Sequence, residues 1–134
     1  MNGPSRSPSD VVRSFIAAWN ANDLEQIVAH LHPDVIYHNI PVAPIHGRAA
    51  VHAYLSSKGG FAWVNWKLLA IAESGSTVLT ERIDDFGIGV ASISLPVMGA
   101  FEIDGELLRA WRDYFDLASS RRQLPATMQP PGGR

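Results

Sequence analysis

From Phe61 onward the chain reads as strand after strand. FAWVNWKLLAIAE, TVLTERIDDF, VASISLPVMGAFEID and ELLRAWRDYFDL follow one another with only short breaks. Each is rich in β-branched and aromatic residues, and turn-forming residues separate them. ESGS marks the first turn, and Asp104-Gly105 is the strongest hairpin signal in the sequence. Strands joined by turns this short run antiparallel. A sheet of this kind has an apolar face that another layer must cover.

The first half supplies that layer. Residues 1–9 read as a loose arm, and Ser9 or Asp10 is placed to cap a helix. Val11, Val12, Phe15, Ile16 and Trp19 then recur at helical spacing. Asn22 with Glu25 resembles a capping box, and Leu24, Ile27, Val28 and Leu31 share the next helical face. Pro33 ends that helix, because the residue before a proline avoids helical geometry. VIYHNI (35–40) is a short strand, PVAPIHGR a proline-rich loop, and RAAVHAYLSS a third helix closed by Gly59 and Gly60. Helices first and strands afterwards predict an α+β fold. Its sheet is antiparallel or mixed and strongly curved into a cone, with the N-terminal helices packed on it and an apolar pocket inside. Pro96 predicts a bulge or bend in the third long strand. All 134 residues form one domain with a core over about 9–118; residues 1–8 and 119–134 are expected to be flexible.

Composition excludes several classes of function. A 46% hydrophobic content supports a full core, while a net charge of −2 with scattered Lys and Arg argues against nucleic acid. The absence of cysteine removes disulfides, thiolate metal sites and a cysteine nucleophile. No apolar run reaches the ~18 residues of a membrane span, and the opening MNGPSRSPSD has no apolar signal core. A cytoplasmic protein is expected. The histidines lack zinc-ligand spacing with a supporting carboxylate, so no metal is expected; His30 and His32 should face solvent and His38 should point away from Tyr37 and Asn39.

Three strands carry polar residues two apart, which places each set on one face of its strand. They are Tyr37 with Asn39, Arg82 with Asp84, and Asp113 between Trp111 and Phe115. If all three faces look into the cone, five polar groups converge on apolar walls. Taken singly, Arg82 and Asp84 could be a solvated face, since Glu81 and Asp85 lie on the other side. Asp113 alone could be a surface carboxylate. Together they form a coherent set, because an unpaired charge in an apolar pocket is expensive and an arginine between two carboxylates offsets that cost.

YHNIPVAPIHGR, TERIDDF and AWRDYFDL together resemble the limonene-1,2-epoxide hydrolases, over about Val11 to Leu117. That family shares the cone-shaped fold of nuclear transport factor 2 and the SnoaL polyketide cyclases. The resemblance implies a catalytic Asp-Arg-Asp set at Asp84, Arg82 and Asp113, with Tyr37 and Asn39 holding the water. It also implies a homodimer and no cofactor. SSKGGFAWVNW departs from the family's pocket residues, and Asp85 adds a carboxylate beside the catalytic strand position.

The chemistry agrees with these residue types. Opening an epoxide with water needs a base on the water and an acid on the leaving oxygen. Two carboxyls bridged by one arginine can share a single proton and fill both roles. Asp113 is then the base and Asp84 the acid. Ile16, Trp19, Phe86, Leu95, Val97, Met98 and Phe115 are candidates for the apolar lining, so the expected substrate is a small, mostly apolar epoxide, cyclic and terpene-like in the family's manner. Two other readings stay open: a ketosteroid-isomerase-like or polyketide-cyclase-like enzyme of the same fold, which has no need of Arg82, and a non-catalytic small-molecule-binding module.

Overall fold

A computed structural model describes residues 6–57 and 60–125. Helix α1 (Pro8–Asn20) opens the fold. Its cap is Ser7, two residues before Ser9 and three before Asp10. Ser7 Oγ accepts from the Asp10 N–H at 3.1 Å, and the Asp10 carboxylate accepts from the Ser7 N–H at 3.4 Å. The reason is Pro8, which fits the first turn because no intrahelical donor is needed there. The expected loose arm is thus partly helix, and Arg6 pairs with Glu106 at 3.1 Å.

Helix α2 (Leu24–Ala29) is capped by Asp23 rather than Asn22, the Asp23 side chain accepting from the Gln26 N–H at 3.2 Å. Asn22 instead takes a positive φ of 54°, which asparagine tolerates, and its Nδ2 donates to the Phe61 carbonyl at 2.8 Å. The helix ends before Pro33, and strand β1 (Leu31–Asn39) begins two residues after it. The Leu108 N–H donates to the His30 carbonyl at 2.8 Å and draws the chain into the sheet early. Pro33 then falls inside the strand, where the register shifts between Leu31 and Ile36. His30 is buried rather than solvent-facing. Its ring bonds Ser14 Oγ at 2.8 Å and the Gln26 carbonyl at 2.6 Å.

After the short β2 (Ile45–His46) comes α3 (Arg48–Ser57), as its sequence predicts; Gly59 lies outside the described residues. The four long strands follow as β3 (Trp63–Ser74), β4 (Thr77–Ile88), β5 (Ala91–Asp104) and β6 (Leu107–Tyr114). Sheet order is β2-β1-β6-β5-β4-β3. All pairs are antiparallel except β1 with β6, so the curved, open sheet is mixed. The β4–β5 ladder runs through Pro96 without a break, so the expected bulge is absent there. The proline is tolerated because the β5–β6 ladder starts only at Met98, leaving β5 bonded on one side at Pro96. The offset in the β5–β6 ladder lies farther along, where Glu102 pairs with Ala110 and Ile103 with Leu108, so the extra residue is Arg109 of β6.

Helix α4 (Leu117–Arg122) occupies the start of the segment expected to be a flexible tail. Gln123 fixes it to β5, accepting from the Ser94 N–H at 2.7 Å and donating to the Ser94 carbonyl at 2.8 Å. The rest of that tail, residues 126–134, lies outside the described residues. Among the described residues no helix is long and apolar enough to cross a membrane.

The core lies between α1 and the inner face of the sheet. Phe15 meets Trp111 edge to face at 4.9 Å, and Val11, Val12, Leu31, Phe101 and Leu108 close around them with no exposure. Burial of an aromatic or aliphatic side chain on this scale stabilises by about 1.5–3 kcal/mol each. Asn20 ties α1 to the sheet edge: its Oδ1 accepts from the Trp66 N–H at 2.6 Å and its Nδ2 donates to the Trp66 carbonyl at 3.1 Å.

Candidate active site

Strand alternation aims the polar groups inward. On β4, Thr80, Arg82 and Asp84 are buried while Glu81 is exposed. On β6, Trp111 and Asp113 are buried while Tyr114 is not. Arg82 is wholly enclosed. Its Nε donates to Asp84 Oδ1 at 2.9 Å and its Nη2 to Asp84 Oδ2 at 2.8 Å. The same Nη2 donates to Asp113 Oδ1 at 3.1 Å. Asp113 Oδ2 accepts from the Trp111 indole N–H at 3.1 Å. Arg82 therefore bridges two carboxyls on different strands, with Trp66 beneath its guanidinium at 4.6 Å.

The electrostatics follow from burial. Loss of solvent is the largest influence on Asp84 and raises its carboxyl from 3.8 to about 6. The two-pronged contact with Arg82 works against this rise, and the charge on Asp113 reinforces it. Burial also raises Asp113, opposed by Arg82 and by the Trp111 N–H. Arg82 is held more firmly protonated by its carboxylates despite its burial. The phenol of Tyr37 is pushed well above its ordinary range, first by burial and then by Asp113. Two carboxyls around one cation titrate as a unit.

Tyr37 and Asn39 come from the neighbouring β1. Asn39 is the register partner of Asp113, and Tyr37 that of Trp111, on which its ring stacks at 3.9 Å. Asn39 Nδ2 donates to the Tyr37 oxygen at 2.8 Å. His38 lies on the opposite face, beside Ile36 and Arg112, as alternation predicts.

A cavity of about 190 Å³ adjoins these groups, with Asp84, Asp113, Tyr37 and Asn39 in its lining. Of the predicted apolar lining, Trp19, Phe86, Leu95, Val97 and Phe115 border it. Two do not. Met98 is half exposed on the outer face, between Glu81 and Tyr114, because consecutive strand residues cannot both point inward. Ile16 is buried in the core rather than beside the cavity. Tyr54 and Leu55 of α3, Phe61, Val64 and Trp66, and Ile88 complete the lining without having been singled out. The Val64–Trp66 alternation was a readable signal for two of them. Thr80 was also missed; its Oγ1 accepts from Arg82 Nη1 at 3.0 Å. Among the described residues no group of three or more His, Cys, Asp or Glu is placed to hold a metal ion.

The fold is that of the nuclear transport factor 2-like and SnoaL-like proteins. A hypothetical protein with a ketosteroid isomerase-like fold from Catenulispora acidiphila, solved with trimethylamine, superposes with a TM-score of 0.78 at 21% identity, over 93% of this chain and 100% of that one. Within that class the chain belongs to the limonene-1,2-epoxide hydrolase family, whose catalytic domain matches residues 6–125. Epoxide hydrolase EphG of Mycobacterium tuberculosis is 33% identical over 106 residues, covering 79% of this chain and 71% of that protein. The structure of an M. tuberculosis epoxide hydrolase of the same type superposes with a TM-score of 0.79 at 30% identity, over 90% of each chain. Family membership makes an epoxide and water the reactants.

Proposed function

We propose that this protein hydrolyses a small, mostly apolar epoxide to a vicinal diol in one step. The single observation that carries the reading is one buried arginine joining two carboxyls that both line a largely apolar cavity. Asp113 is the base, because Tyr37 and Asn39 stand beside it on the adjoining strand. The Asn39–Tyr37 bond uses the amide N–H and a phenol lone pair. It leaves the phenol O–H and the amide oxygen for a water. Such a water donates one hydrogen to Asp113 and the other to Asn39, and accepts from Tyr37. One lone pair then remains to attack an epoxide carbon.

As the new C–O bond forms, Asp113 takes the water proton. The ring C–O bond breaks, and Asp84 protonates the leaving oxygen. Burial and the charge on Asp113 keep a proton on Asp84 where an ordinary carboxyl has lost it. One proton moving from Asp113 back to Asp84 resets the pair. The scheme uses no metal and no cofactor. The aromatic and aliphatic lining suits an apolar body, including a cyclic one. The outer face of the sheet, with exposed Leu69, Leu79 and Met98, suits a second copy of the chain, which sedimentation would test.

The alternative chemistry for an aspartate is direct attack on the ring, giving an ester that water then cleaves. A single turnover with excess enzyme in ¹⁸O-labelled water separates the two. One-step addition places the label in the first diol formed. Label found on Asp84 or Asp113 in a digest of the protein would rule that out.

A further inference from the structure

We infer that Gly99 and Thr80 are positioning residues that seat the Arg82 guanidinium across β5, so that one cation reaches carboxyls on two strands that are not neighbours. The inference rests on the Asp-Arg-Asp reading above and adds to it what makes the bridge possible.

Arg82 and Asp84 lie on β4 and Asp113 on β6, with β5 between them. Neighbouring strands are about 4.8 Å apart, so the bridge spans roughly 10 Å of sheet. The guanidinium must therefore lie flat on the inner face of β5. At the crossing point β5 supplies Gly99, the register partner of both Thr80 and Asp113. Directly opposed residues share a face, so a side chain at position 99 would rise between those two. Its Cβ would overlap Arg82 Nη1, and would lie 2.8 Å from Thr80 Oγ1 and 3.0 Å from Asp113 Oδ1. Each of these partners is fixed by burial and cannot step aside.

Backbone geometry does not explain this glycine. Gly47, Gly60, Gly75, Gly89 and Gly105 have positive φ, and Gly99 does not. A glycine inside a strand weakens it, since it packs no side chain and loses more chain entropy on folding. Space for the guanidinium is the reason for it here.

Thr80 completes the seat. Nε and Nη2 of Arg82 serve the carboxyls, and Nη1 is the remaining nitrogen. Its acceptor is Thr80 Oγ1, on a residue with 1% exposure. With Nη1 held, the guanidinium cannot turn in its plane, and Nη2 stays between the two carboxyls.

Thr80→Val keeps the shape and removes the acceptor; Thr80→Ser restores the oxygen; Gly99→Ala fills the gap. Each is assayed on cyclohexene oxide beside Asp84→Asn and Asp113→Asn, with folding followed by circular dichroism. Thr80→Val should lose about 10-fold in kcat with KM within about twofold. Both limbs of its pH–rate profile should move upward, because a less closely held cation lowers the carboxyl pKa values less. Thr80→Ser should stay within about threefold of the parent. Gly99→Ala should lose about 100-fold if folded; if it does not fold, the threonine pair decides. A folded Thr80→Val with parental kcat and an unmoved pH profile would overturn the inference. If the two Asp→Asn variants are inactive at the same time, the bridge reading survives and only the seat falls. If either Asp→Asn variant is active, the bridge reading itself falls.

Discussion

Two adjacent carboxylates on β4 show what one step along a strand does. Asp84 faces the cavity and Asp85 faces out. Asp84 is buried against Arg82, and burial lifts its carboxyl to about 6. Asp85 meets Lys67 at 2.9 Å, and its register partner Ser94 together with Lys67 holds its carboxyl below the ordinary range. The two side chains are identical, and environment alone shifts their proton affinities in opposite directions. On the outer face Asp85 is partly covered, but Lys67 is half exposed, so water screens the pair and it contributes little. On the inner face nothing screens the charge, so proton occupancy becomes a property the fold controls.

The difference breaks first at the inner face. Asp84→Asn and Asp113→Asn should each lose at least about 100-fold in turnover while the far-UV circular dichroism stays native. Arg82→Lys should be similarly impaired, because an ammonium cannot present a planar fork to two carboxyls. Near-parental activity in any of them would remove that residue from the chemistry.

The β1 pair should matter less. On the proposed mechanism Tyr37→Phe or Asn39→Ala removes one hydrogen bond to the attacking water, and about a 10-fold fall in kcat is expected. Steady-state kinetics on the folded variants decides it.

Asp84 should also leave a mark on stability. A carboxyl raised in the folded state holds its proton more tightly there than in the unfolded chain. Its contribution is complete below pH 3.8 and is lost as the pH rises through about 6. Urea unfolding from pH 4 to pH 7 should therefore show a decline on the order of 1–3 kcal/mol from this group. Asp84→Asn should flatten it. An undiminished slope in that variant would assign the titration elsewhere.

The smallest effect belongs to the outer carboxylate. Asp85→Asn should change stability by no more than about 0.5 kcal/mol, less still in high salt, and leave turnover within about twofold. A large loss of activity would mean that the two faces are not independent.

Alternation carried most of the site in the sequence. Tyr37, Asn39, Arg82, Asp84 and Asp113 converge because a period of two is rigid once the strand is known. The same rule, applied to Val97 and Met98, excludes one of the pair, and Met98 is the one outside. Ile16 and Trp19 share a helical face, and no spacing tells which of them meets core and which meets cavity. Tyr54 and Leu55 could not be read because their position depends on how α3 docks. Of the fold, the four long strands and α3 were legible from composition and turns. The caps at Ser7 and Asp23 were not, since Pro8 and the positive φ of Asn22 each moved a boundary. Thr80 and Gly99 are visible only once the order of strands is known.

That order carries a consequence for how the molecule assembles. β3 to β6 form a meander of neighbours in sequence, which closes by short, fast contacts. β1 joins it through the parallel ladder to β6, across about 70 residues of chain, at a closure entropy that grows only as the logarithm of that length. During synthesis Tyr37 and Asn39 emerge about 70 residues before the strand that gives them Trp111 and Asp113 as register partners. Tyr37 and Asn39 therefore lack these partners until β6 is in place, and a chain cut short before β6 retains the segments of α1, α2 and α3 with this tyrosine and asparagine but lacks Trp111, Asp113 and α4.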